Sequence, residues 1–87
     1  MYLIMVYDVN VKRVNKVLKI GRKYLYWVQN SVLEGEITEA KFEKLKSELR
    51  HVIVEEEDSV IFYIFESKLY TRRESMGVKK GGEELIL

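Results

Sequence analysis

Asp8 is the residue of this chain best placed to do chemistry. It closes an apolar, β-branched run, Tyr2 to Tyr7, that reads as a buried strand, and the chain then turns at Asn10 into a helix. A carboxylate at the carboxyl end of such a strand is poorly solvated and held on a rigid element. Ligands and metals gather at strand ends in sheets covered by helices. The chemistry on offer is that of an oxygen donor. A hard cation such as Mg²⁺ is held by one or two carboxylates together with water and phosphate oxygens. The ion lowers the pKa of a bound water and polarises a phosphodiester. One Asp8 per chain is a meagre site, whereas two copies related by a two-fold axis would supply two carboxylates to one ion. Arg13 and Lys16, one turn into the following helix, would offset the charge of a phosphate. Tyr7 either orients a phosphate or a water beside Asp8 or simply packs. The competing reading of Asp8 is a residue that caps or orients the next helix, and the residues alone leave both readings open.

Other chemistries lack their residues. His51 is the only histidine, there is no cysteine, and no motif places a serine beside His51, which favours a structural or exposed His51 over a Ser-His-acid triad and leaves too few nitrogen and sulfur ligands for zinc. The glycines at 77, 81 and 82 fit neither phosphate-binding glycine spacing. The net charge is only +1, yet its distribution is uneven: Lys12, Arg13, Lys16, Lys19, Arg22 and Lys23 fall between Val9 and Leu33 with no acid among them. Such a segment is either a footprint for a polyanion, with Lys12, Arg13 and Lys16 as nucleic-acid contacts, or a solvated helix face. Tyr26 and Trp27 lie in a β segment, which favours packing over stacking on a base. Ser31 satisfies backbone at a bend, and Gln29 is open to either role.

These residues need elements to position them. The first strand spans about Tyr2 to Asp8. Asn10 suits the N-cap of a helix from about Val11 to Tyr24, whose apolar stripe is Val11, Val14, Val17, Leu18, Gly21, Tyr24 and Leu25. Leu25 to Ile37 is β-rich, either one kinked strand or two short strands joined at Asn30-Ser31. Thr38 opens a second helix with Glu39 in its first turn. Phe42, Leu45, Leu49 and Val52 form its buried stripe, while Lys41, Glu43, Lys44, Lys46, Glu48 and Arg50 face water. Glu55 to Asp58 reads as an exposed acidic turn, and Ser59 to Glu66 as a second buried strand, apolar on both faces. A short strand around Tyr70 to Met76, a glycine-rich link and a terminal strand at Leu85-Ile86-Leu87 complete the chain.

The order strand, helix, β segment, helix, strand, strand predicts an α+β, ferredoxin-like sandwich with two helices on one face of an antiparallel sheet. The opposite sheet face is apolar through Tyr63 and Phe65, so a homodimer packed through the sheets is expected. Residues 1–87 make one domain, in which 77–87 is a tail or strand expected to pack on the partner subunit. Eighty-seven residues with 47% apolar and 33% charged content suit a folded protein of modest core. The longest apolar run is broken by Asp8, and the N-terminus lacks the features of a signal peptide. Without cysteine, the expected location is cytoplasmic.

Four stretches in order carry a resemblance over essentially the whole chain: MYLIMVYDVN, KRVNKVLK, WVQNSVLEGEIT and EEDSVIFYIF. Together they resemble the family of CRISPR-associated protein two, the small subunit of the machinery that inserts new spacers into CRISPR arrays. The resemblance implies a ferredoxin-like homodimer in which aspartates equivalent to Asp8 face each other and bind Mg²⁺. It implies a metal-dependent endonuclease on single-stranded RNA or duplex DNA, although some members are inactive. It also implies a partner, the larger integrase subunit, whose dimers this dimer bridges as a DNA-binding scaffold. By position Arg13 takes the place of the helix arginine near the site. The chain departs from the pattern in its short Val9-Asn10-Val11 connection, in Trp27 where many members carry arginine, and in Leu33 where phenylalanine is common.

Overall fold

The computed structural model describes residues 1–66, 72 and 74–77. Its elements run β1 (Tyr2–Asp8), α1 (Val11–Arg22), β2 (Tyr26–Gln29), β3 (Val32–Glu36), α2 (Glu39–Arg50) and β4 (Ser59–Phe65). The four strands form one antiparallel sheet in the order β2-β3-β1-β4, which is the ferredoxin-like arrangement expected from the element order. β1 is central: it pairs with β3 from Tyr2 opposite Glu36 to Val6 opposite Val32, and with β4 from Tyr2 opposite Phe65 to Asp8 opposite Ser59.

Alternation along β1 sends Leu3, Met5 and Tyr7 into the core with Leu33, and Ile4, Val6 and Asp8 to the other sheet face. The helices close that core with Val17 from α1 and Phe42, Leu45 and Leu49 from α2. Phe42 meets Phe62 of β4 edge to face, ring centroids 5.1 Å apart. Gly21 lets α1 approach β3: a Cβ there would sit 3.1 Å from a methyl of the fully buried Leu33.

Both predicted N-caps are in place. The Asn10 side chain accepts from the Lys12 amide and the Thr38 hydroxyl from the Lys41 amide. The segment after α1 resolves into two strands. Asn30 turns between them with φ 42, a conformation asparagine tolerates, and its carbonyl accepts from the Trp27 indole at 2.9 Å.

Five expectations need correcting. Val11, the first residue of α1, is 83% exposed and stands outside the buried stripe. Glu48 does not simply face water; it accepts from Lys23 and from the Tyr24 hydroxyl and so ties the end of α1 to α2. β4 is not buried on both faces: among the described strands its one neighbour is β1, and Ile61, Tyr63 and Ile64 are about half exposed at 47%, 52% and 51%. Asp58 is not part of an exposed turn, since its side chain is fully buried. Arg72 and residues 74–76 form no strand, and the rest of the predicted strand around Tyr70 to Met76 lies outside the described residues. So does nearly all of the 77–87 tail, of which only Gly77 is described, with φ 85. No helix among the described residues is long and apolar enough to cross a membrane.

Candidate functional site

Asp8 ends the central strand with its side chain exposed, and no described residue donates a hydrogen bond or an ion pair to its carboxylate. A rigid backbone with a free carboxylate is the arrangement that suits an external ligand. Tyr7 is its sequence neighbour but not its spatial one. Consecutive strand residues project to opposite faces, and Tyr7 lies in the core at 3% exposure. Burial pushes its phenol up, against a hydrogen bond involving Ser31.

Only Val9 and Asn10 separate Asp8 from α1. That short turn is held by Asp58, 48 residues beyond Asn10 in the sequence. One Asp58 oxygen accepts from the Asn10 amide at 2.8 Å and from Arg13 Nη2 at 3.0 Å. The other accepts from Arg13 Nε at 2.6 Å and from the Val54 amide at 2.8 Å. Arg13 Nη2 also reaches Glu57 at 3.1 Å, and the Arg13 side chain is 17% exposed. The guanidinium grips both carboxylate oxygens, the geometry in which arginine binds an acid most strongly. Arg13 is therefore engaged within the protein, a partnership the sequence reading did not assign.

The Arg13 contact holds the Asp58 carboxyl well below its ordinary value of 3.8, helped by the Val54 and Asn10 amides and opposed by burial. The same contact raises Arg13. A carboxyl depressed on folding stabilises the fold above its unfolded value and loses that contribution as pH falls toward its folded value. Urea unfolding of the protein and of Asp58→Asn should therefore differ by a constant amount from about pH 5 to 8. The gap should narrow progressively below about pH 4 as the unfolded chain takes up the proton. A gap that widens on acidification would refute the assignment.

Lys12 and Lys16 are exposed on α1 and, with Lys19, follow an i, i+4, i+7 spacing that shares one helix face. Lys23 continues the row and pairs with Glu48. Asp8 and the lysines thus leave β1 and α1 toward solvent, while Tyr7 and Arg13 turn inward. His51 is exposed, its Nδ1 2.7 Å from the Ser47 carbonyl. A cavity of about 380 Å³ between α2 and β4, lined by Lys46, Arg50, Ser59 and Phe62 among others, does not include Asp8.

Among the described residues no three or more His, Cys, Asp or Glu side chains cluster as metal ligands. One chain offers a single free carboxylate at Asp8, a hard oxygen donor of the kind Mg²⁺ takes, and a second copy of Asp8 would double it. The donor type fits such an ion; the number of donors fits it only when shared.

Asp58 is the residue the sequence reading missed. The signal lay in its position: it directly precedes β4, and antiparallel pairing of β4 with β1 places that start beside the end that carries Asp8.

The family described as CRISPR associated protein Cas2 matches residues 1–73. A protein of Dictyoglomus turgidum named CRISPR-associated endoribonuclease Cas2 is 63% identical over 87 residues, covering 100% of both chains. One of the same name from Thermotoga maritima is 59% identical over 86 residues, covering 99% of each. A solved crystal structure of Cas2 superposes with a TM-score of 0.84 at 45% identity, covering 100% of this chain and 98% of that one.

Proposed function

The chain belongs to the CRISPR associated protein Cas2 family, and from that premise we propose that it is a homodimeric, Mg²⁺-dependent endonuclease of CRISPR spacer acquisition. Its substrate is a phosphodiester of RNA or DNA, and its partner in acquisition is the integrase subunit. The observation that carries this reading is the free Asp8 carboxylate at the end of the central strand, beside a helix whose exposed face is a row of lysines.

Asp8 from each of two subunits would hold the ion. When bound, the ion supplies Lewis-acid polarisation of the phosphodiester and activates water for attack on phosphorus. The chain's own residues do the rest. Lys12 and Lys16 hold the nucleic-acid backbone through its phosphates. Arg13 acts through the turn it secures, stabilising the site from behind. Tyr7 anchors the end of β1 by its burial in the core, which fixes the backbone from which Asp8 projects. Ile61 and Tyr63, half exposed on the sheet face away from the helices, supply apolar surface for the subunit contact.

A second reading has support in the same lysine row: a non-catalytic scaffold that clamps duplex DNA for the integrase. Salt-sensitive binding to phosphates needs no carboxylate.

Metal removal tests the enzymatic reading. Incubation with single-stranded RNA and with duplex DNA should give cleavage of at least one in Mg²⁺ and none in excess EDTA, with activity restored by added Mg²⁺. Full cleavage in EDTA would overturn metal dependence. Tight duplex binding with neither substrate cut would leave the scaffold reading in possession.

A further inference from the structure

The Asp58 carboxylate has no free capacity. It is fully buried and accepts from the Asn10 and Val54 amides and from two nitrogens of Arg13, at 2.6 to 3.0 Å. Each bond fixes something different. The Asn10 bond fixes the backbone two residues after Asp8. The Arg13 pair fixes the first turn of α1. The Val54 bond closes the loop that leads into β4, and the next residue, Ser59, pairs directly with Asp8 in the sheet. A single buried anion thus holds both the turn that follows the exposed acid and the loop entering the strand paired with it, its own side chain out of contact with solvent.

We propose that Asp58 is a positioning residue for Asp8, acting through the Asn10 amide and the Arg13 guanidinium to fix the direction in which the Asp8 carboxylate projects. The inference rests on Asp8 being the metal ligand, as proposed above. Ligand carboxylates need outer partners that lock their orientation, and among the described residues Asp8 has none at its own oxygens. Its orientation must come from the backbone beneath it, and Asp58 is what holds that backbone. The arrangement also explains why Arg13 is turned away from solvent: its work is to complete the grip on Asp58.

The test uses Mn²⁺ alone as a probe, followed by its paramagnetic signal on the intact protein. Asp58→Asn keeps the size of the side chain, loses the charge that Arg13 pairs with, and turns one of the two accepting oxygens into a donor that can no longer take an amide N–H. In this variant, held well below its unfolding midpoint, Mn²⁺ affinity should fall at least about tenfold, in line with loss of an outer-sphere partner. Amide exchange at Asn10 and Val54 should quicken in parallel. A purely structural role would lower the unfolding midpoint yet leave the folded protein's Mn²⁺ affinity where it was, and that result overturns the proposal. Should Asp58→Asn fail to fold, Arg13→Gln retains the two amide bonds to Asp58 and should show a smaller, severalfold loss of affinity; no loss in that variant overturns the proposal equally. Asp8→Asn in the same titration separates the two readings. If it binds Mn²⁺ as the unaltered protein does, Asp8 is not the ligand and both readings fall. If Asp8→Asn loses binding and Asp58→Asn does not, the positioning role alone is lost.

Discussion

Asp8→Asn is expected to lower Mg²⁺-dependent cleavage by at least about a hundredfold, because a bound ion's electrostatic help amounts to several kcal/mol and each 1.4 kcal/mol is about a factor of ten in rate. The substitution keeps the shape of the side chain and removes its charge. Since no described residue bonds the Asp8 carboxylate, the fold has nothing to lose: the unfolding free energy should change by no more than about 0.5 kcal/mol. Nucleic-acid binding through Lys12, Lys16 and Lys19 should survive, with the same salt dependence. The pattern of lost cleavage, retained binding and unchanged stability would identify Asp8 as a chemical rather than a structural residue. Undiminished cleavage would reject it as the ligand. Spacer insertion that proceeds normally with the variant would assign the cellular role to scaffolding.

The second large effect concerns the core beneath the site. Leu33 is fully buried on β3, next to the central strand and under Gly21 of α1. Leu33→Ala should cost about 2–5 kcal/mol, a substantial part of the total for a domain whose stability is of order 5–15 kcal/mol. Gly21→Val alone should cost about 1–3 kcal/mol by overpacking, because its added carbons would press on Leu33 methyls 3.1 and 3.3 Å from the Cβ position. Combined, the two should cost less than their sum, since the new side chain enters the space the other vacates. Urea denaturation of the four proteins measures the coupling. Strict additivity would mean that α1 and β3 do not meet at this point.

Much of this architecture was legible because local rules and tertiary packing agree. The apolar run ending at Asp8, the N-caps at Asn10 and Thr38, and the stripe Phe42, Leu45 and Leu49 each follow from spacing alone, and each is found in place. The site was legible only in part. Asp8 stands where strand-end reasoning put it. The roles of Tyr7 and Arg13 depend on which way a side chain turns. Strand alternation takes Tyr7 inward, and a partner 45 residues away takes Arg13 inward as well. Asp58 was hidden for a related reason: four consecutive acids look like a solvated turn, and nothing local marks the fourth as buried. Its burial comes from antiparallel pairing, a long-range fact. The exposure of Ile61 and Tyr63 likewise follows from pairing, because the register of β4 with β1 puts them with Val6 and Ile4 on the sheet face away from the helices.

The separation of 45 to 48 residues between Asp58 and its partners Arg13 and Asn10 has a consequence for biosynthesis. Translation delivers the acid well before its support. Until β4 has cleared the ribosome and added itself to β1, the turn after Asp8 is unsecured. A nascent chain therefore carries the carboxylate without the framework that aims it, and the site is aimed only once β4 has joined the sheet.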